Sequence, residues 1–342
     1  MEKSSRKYSF LYLALGILLL LFFAVDLLTG SALLSVSDVW NALTGGAEVP
    51  DYVQAVVINF RMPKAITALL AGMALSVSGL QMQTTFRNPL ADPYVLGISS
   101  GSGFGVALFI LGTSVWGLSS ALWLQNLGVA LAGWIGAFVM LAIVTAASLR
   151  LRDTMSMLVM GIMVGGAVSA VIGVMQYFSN ATALKTYVIW TMGSFSTIAP
   201  EQLKLMAPAI ILGLLLALLT MKWLNALMFG DVYAQSVGLQ VKRARTVILL
   251  ISGLLAGTVT AFCGPIGFIG IAVPHVARML FGTANHRVLI PATMLLGGVT
   301  MLLSDIISQL PAMDTVLPVN TITALLGIPV IIYIIFRNQR GF

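Results

Sequence analysis

Apolar segments of about 17–25 residues recur along this chain, and each is long enough to cross a hydrocarbon core of roughly 30 Å as a helix. They lie near residues 10–28, 64–82, 94–112, 124–148, 156–178, 202–221, 246–262, 266–281, 288–306 and 319–336, which predicts ten spans. Composition agrees: only 8% of the 342 residues are Asp, Glu, Lys or Arg, and 59% are hydrophobic, whereas a soluble domain carries roughly 25% charged residues. So little polar surface excludes a soluble globule, a disordered tail and a nucleic-acid-binding domain. The fold class expected is an all-α polytopic membrane protein, with residues 1–342 as a single transmembrane domain. A charged start (Lys3, Arg6, Lys7) followed by an apolar run imitates a signal peptide. No small-x-small cleavage pattern follows, so the run reads as the first span.

The net charge of +7 serves orientation before it serves any anionic partner. With the N-terminus inside and ten crossings, both termini are cytoplasmic. Lys3, Arg6, Lys7, Arg87, Arg150, Arg152, Lys222, Lys242, Arg243, Arg245, Arg278, Arg287, Arg337 and Arg340 then face inward. Arg61, Lys64, Lys185 and Lys204 stay outside. That asymmetry follows the excess of Lys and Arg in cytoplasmic loops. Residues 181–197, between spans five and six, are amphipathic and predict a short helix on the outer surface.

Ionisable groups at mid-membrane are costly and mark ion or proton pathways. Here only His275 is internal to a span. It follows Pro274, which frees a backbone carbonyl one turn earlier, so it reads as a histidine bonded to helix backbone near the inner face. A proton-driven carrier needs more than this. Energy must come from elsewhere, yet no G-x-x-x-x-G-K-[ST] phosphate cradle is present. Gly101-Ser102-Gly103-Phe104-Gly105 lies in an apolar span and reads as close helix packing. No H-E-x-x-H and no paired carboxylates on one helix face supply catalytic or metal chemistry, and Cys263 reads as packing.

Three loops carry the information. Arg61-Met62-Pro63-Lys64 begins span two, where Pro63 suits a first turn. Arg61 and Lys64, three apart, share a face and read either as anchors at the membrane interface or as a docking point for an acidic partner outside. Phe86-Arg87-Asn88-Pro89-Leu90-Ala91-Asp92-Pro93 is a rigid cytoplasmic turn. The hydrophilic break from Asn225 to Arg245 holds a helix of about two turns, with Asp231 as N-cap and Gly238 as left-handed C-cap. Its apolar Val232, Tyr233 and Val237 have nothing in water to bury against. It reads as a plug for a partner's groove.

These loops, with Ala71-Gly72, Ser78-Gly79, Gln83, Leu96-Gly97, Trp190 to Phe195, Gly264-Pro-Ile-Gly-Phe-Ile-Gly270, Pro274-His275-x-x-Arg278, Asp305 and Thr323 to Pro329, resemble the permease subunits of bacterial ABC importers for iron–siderophores, haem and vitamin B12 (FecCD-type). The resemblance runs through nearly the whole chain. It implies a type II ABC importer permease fold in the bacterial inner membrane, a homodimer around a central pathway, two cytoplasmic ATPase subunits that carry ATP and magnesium, and a periplasmic or lipid-anchored binding protein. No cofactor and no metal are expected on this chain. By resemblance, Gly230, Asp231, Val232, Tyr233, Ala234, Gln235, Gly238 and Leu239 couple to the ATPase. Asn88, Leu90, Thr154 and Met155 match cytoplasmic gate positions, and Arg61 and Lys64 match residues that meet binding-protein carboxylates. Gln309 stands where the family often has a basic residue, and Asn320 where it usually has Gly. Iron–siderophore is the first substrate expectation, with vitamin B12 or haem as alternatives. An ATP-independent secondary carrier is the competing class, opposed by the scarcity of charge within the spans.

Overall fold

The computed structural model describes residues 2–30, 34–46, 49–116, 122–150, 154–309 and 316–339. Arg152 and Arg340, counted in the charge asymmetry, lie outside the described residues. Ten helices coincide with the ten predicted spans: α1 (Glu2–Leu28), α4 (Met62–Phe86), α5 (Ile98–Trp116), α6 (Leu122–Arg150), α7 (Thr154–Phe178), α9 (Pro200–Leu219), α12 (Val241–Cys263), α13 (Ile269–Phe281), α14 (His286–Ser308) and α15 (Val319–Gln339). Short helices fill the connections: α2 (Val36–Thr44), α3 (Asp51–Val56), α8 (Ala181–Thr191), α10 (Met221–Met228) and α11 (Asp231–Ser236). Of these, α8 and α11 follow the sequence expectation. The hydropathy pattern did not disclose α2, α3 or the π-helical turn Val57–Arg61 that leads into α4. The expected break from Asn225 also begins too early, because Met221–Met228 is helical and buries Leu224 and Leu227.

The core forms around α4, which is buried along most of its length and packs against α9, α12, α13 and α14. Small residues make that possible. A Cβ on Gly79 would overlap the carbonyl of Gly270 on α13, and one on Gly72 would overlap Gly297 O on α14. Without a hydrophobic drive between helices in lipid, such backbone approach gives packing its strength. The same device joins α5 to α6, where a Cβ on Gly105 would overlap Ala132 O and one on Gly136 would overlap Gly101 O. The glycine-rich run in α5 is therefore a packing seam, as its apolar setting suggested.

α13 has 13 residues, which at about 1.5 Å each covers only about two-thirds of a hydrocarbon core. The segment before it, Gly264 to Phe268, is irregular, with positive φ at Gly264 (77°) and Phe268 (70°). Irregular backbone at membrane depth needs protein partners, and it has them. Ile266 N donates to Tyr94 Oη at 3.2 Å, Gly267 N donates to Asn320 Oδ1 at 2.9 Å, and Ser194 N donates to Cys263 O at 2.9 Å. Asn320, a departure from the family pattern, thus has a definite task. Cys263 is buried among apolar neighbours, as expected for packing.

Candidate functional site: the exposed face of α11 and the Arg61–Lys64 charge cluster

At the end of the bundle that charge asymmetry assigns to the cytoplasm, α11 is a short helix whose apolar residues face out. Val232 is 85% exposed, Tyr233 48% and Val237 57%, while Ala234 alone is fully buried. Phe229, also exposed, packs at a tilt against Tyr233 with ring centroids 5.1 Å apart. The N-cap is Gly230 (φ 104°), not Asp231. The Asp231 carboxylate instead meets Arg245 Nη2 at 3.1 and 3.0 Å, so the charge that was expected to cap α11 ties it to α12. The C-terminal end is as expected. Gly238 has φ 84°, its N–H donates to Gln235 O, and Leu239 N donates to Ala234 O, both at 2.9 Å. Those two bonds form a Schellman closure. Leu239 packs its side chain on the core, and Gln235 stays exposed.

The loop after α4 lies next to this helix. Arg87 adopts a left-handed conformation (φ 48°) at the C-cap of α4. Its Nη1 lies 3.1 Å from where a Cβ on Gly230 would stand. The φ of 104° at Gly230 is what favours glycine there. Asn88 Oδ1 accepts from Leu90 N at 2.9 Å, which fixes the turn that carries the two expected gate positions. Leu90 is exposed. Pro89 O lies 2.9 Å from His275 Nε2. His275 was expected to bond helix backbone; it bonds the α4–α5 loop instead, because α13 packs beside the end of α4. Asp92 closes the loop by accepting from Tyr94 N at 2.9 Å, and burial pushes its carboxyl up to about 6.

The other expected gate segment begins α7. Met155 is exposed, and the side chain of Thr154 lies outside the described residues. Gly161, farther along α7, packs on Val95 and Leu96 of the α4–α5 connection. α7 therefore bears on the same connection that carries Asn88 and Leu90.

At the opposite end of the bundle, Arg61 and Lys64 do not project from an open face. Both are only 5% exposed. Lys64 Nζ sits between two buried carboxylates, 3.2 Å from Asp26 Oδ1 on α1 and 3.0 Å from Asp305 Oδ2 on α14. Arg61 Nη1 donates to Leu27 O at 2.8 Å and Leu28 O at 3.0 Å. Gln309 Nε2 donates to Asp305 Oδ2 at 2.8 Å, so it serves the carboxylate as a neutral donor. Arg61, Lys64, Ser196 and Gln309 nevertheless help line a cavity of about 280 Å³ on this side. Any outside group reaches the two cations by entering it. Helical spacing put Arg61 and Lys64 together, but nothing in it disclosed that Asp26, 38 residues from Lys64, would claim the lysine.

Comparison with known proteins decides what this scaffold is. The FecCD transport family profile matches residues 18–337. The chain belongs to the FecCD transport family. This FecCD permease is 33% identical over 343 residues to the molybdate import system permease protein MolB of Haemophilus influenzae, covering 98% of this chain and 97% of that one. It is 34% identical over 332 residues to the hemin transport system permease protein HmuU of Yersinia pestis, covering 96% of each. A solved metal-chelate type ABC transporter in an inward-facing conformation superposes with a TM-score of 0.83 at 31% identity, over 95% of this chain and 98% of that one. The fold is that of a type II ABC importer permease.

Proposed function

We propose that this FecCD permease is the membrane-spanning subunit of an ATP-driven importer in the bacterial cytoplasmic membrane. It pairs with a second copy and works with two cytoplasmic ATPase subunits that hold ATP and magnesium. A binding protein delivers the ligand from outside. The observation that carries this reading is α11: a two-turn helix, closed by Gly238 and pinned by Arg245, with Val232, Tyr233 and Val237 exposed. Helices this short are unstable alone in water, and an apolar face held out by tertiary contacts suits a partner's groove.

The test replaces Val232 and Tyr233 together with Asp. Co-purification of the ATPase and ATP-driven uptake in proteoliposomes should both fall, with binding-protein capture unchanged. Wild-type association and uptake in that variant would remove α11 as the coupling element. Gly238→Val should lower uptake by straining the left-handed turn.

The outer cavity favours docking of an acidic side chain of the binding protein at Arg61, in a recess rather than on a flat basic face, while Lys64 is already balanced by Asp26 and Asp305. Contacts of that kind are charge-assisted, and capture should weaken as salt rises. For the substrate, an iron–siderophore is the first reading, with vitamin B12 or haem as alternatives. The relatives named for molybdate and hemin match at 33% and 34% identity. Such similar identities beside unlike ligands favour selection by the binding protein. Direct titration of that protein with a ferric siderophore, cobalamin, haem and molybdate assigns the substrate.

A further inference from the structure

The cytoplasmic ends of α4, α10, α13 and α14 enclose a cavity of about 260 Å³ lined in part by Gln83, Thr84, Arg87, Arg278 and His286. The neutral groups in it are already engaged. His286 Nδ1 lies 2.9 Å from Asn225 Oδ1, and its Nε2 lies 2.8 Å from Thr84 Oγ1. Gln83 Nε2 donates to Gly270 O and Ile271 O, each at 3.2 Å, which turns its Oε1 toward Arg278. Arg278 Nη1 donates to that oxygen at 2.6 Å.

The charges are not balanced in the same way. A guanidinium has five N–H donors and a full positive charge, and one amide oxygen neutralises none of it. Neither Arg87 nor Arg278 forms an ion pair with a described carboxylate; Asp231, the nearby acid on α11, is taken by Arg245. Two cations therefore line one recess with no anion. Arg87 also lies against Gly230, the N-cap of α11, so the recess continues the surface that α11 presents.

We propose that this recess receives a carboxylate side chain of the cytoplasmic ATPase subunit, bound by Arg87 and Arg278 beside α11. This rests on the reading of α11 as the coupling helix. Charge complementarity and continuity with α11 favour the ATPase over other anions. The position also gives the contact a use. Arg87 is the residue before Asn88, and Pro89 of the same turn is held by His275. A carboxylate that moves with the ATPase would pull on the loop that carries Asn88 and Leu90, without passing through α12.

The test measures affinity between detergent-solubilised permease and its co-expressed ATPase across a range of NaCl concentrations. Arg87→Asn removes the charge while keeping a residue that tolerates the left-handed backbone. It should weaken association about tenfold, the scale of a hydrogen bond to a charged group, and flatten the salt dependence. Arg278→Gln should do the same, and Arg278→Lys should retain most of the affinity. If Arg278→Gln fails to fold, Arg87→Asn decides, because Arg87 is exposed. Wild-type affinity and salt slope in Arg87→Asn overturn the proposal. The Val232→Asp, Tyr233→Asp pair serves as the reference. Loss of association in that pair alone leaves the coupling helix standing and removes the recess contact, whereas loss in neither removes both. An anionic lipid retained by wild type in native mass spectrometry but lost from Arg87→Asn, with ATPase affinity unchanged, overturns the proposal in favour of a headgroup.

Discussion

Lys64 shows how little a single position reveals about its own partners. Read along the sequence it is a cation at the start of a span; in the fold it is shared by Asp26 and Asp305. Breaking a buried ion pair from one side costs about 3–5 kcal/mol, whereas replacing all members by neutral groups is often tolerated. Lys64→Met should therefore lower the thermal unfolding midpoint in detergent sharply, and adding Asp26→Asn with Asp305→Asn should restore much of it. No recovery in the triple variant would show that the charges do more than compensate one another. Asp92 supplies a second residue-scale expectation. Its folded carboxyl titrates near 6 against an ordinary 3.8, so the fold disfavours the ionised form. The wild-type protein then loses stability as pH rises from about 4 to about 6, and the loss persists at pH 7. Asp92→Asn keeps an oxygen for Tyr94 N and lacks this cost. It should be more stable than wild type at pH 7 and indistinguishable from it near pH 4, as read by thermal unfolding at both values.

The helices divide into those visible as apolar runs and those made by context. The helices of all ten expected spans were legible as apolar runs; among the described residues seven are long and apolar enough to cross a membrane, and α5, α13 and α15 offer shorter apolar stretches. α2 and α3 were not, since short helices with mixed faces leave no such trace and form here by packing around Val39, Val53 and Val57. α13 starts three residues later than its apolar run, because Gly264 to Phe268 bond to Tyr94 and Asn320 instead of to one another. Glycine seams belong to the same scale. Gly79→Val should prevent α4 from meeting α13 and reduce the yield of folded protein, because the obstacle is backbone and cannot swing aside. Gly166→Val on α7, where a Cβ meets nothing within 4 Å, should fold as wild type does. Size-exclusion profiles of the two variants check the contrast.

For the molecule as a whole, orientation is the property that charge determines. Lys185 on α8 and Lys222 on α10 are both exposed and are assigned to opposite sides. With Cys263 buried, single cysteines at these positions are the labelling sites. A membrane-impermeant thiol reagent should modify Lys185→Cys from outside intact cells and Lys222→Cys only after the membrane is opened. The reverse pattern would invert every assignment of inner and outer face. By itself the sequence determined the apolar helices, the family and the place of a short capped helix near residues 231–237, because each of these is written in local composition or in contiguous motifs. Only the tertiary structure decided that Arg61 and Lys64 are buried, that Asp231 serves Arg245, that His275 holds Pro89, and that Arg87 and Arg278 share a recess. Those facts depend on which distant residues meet across the bundle. Spacing along one helix carries no information about the charge that a neighbouring helix will bring to it.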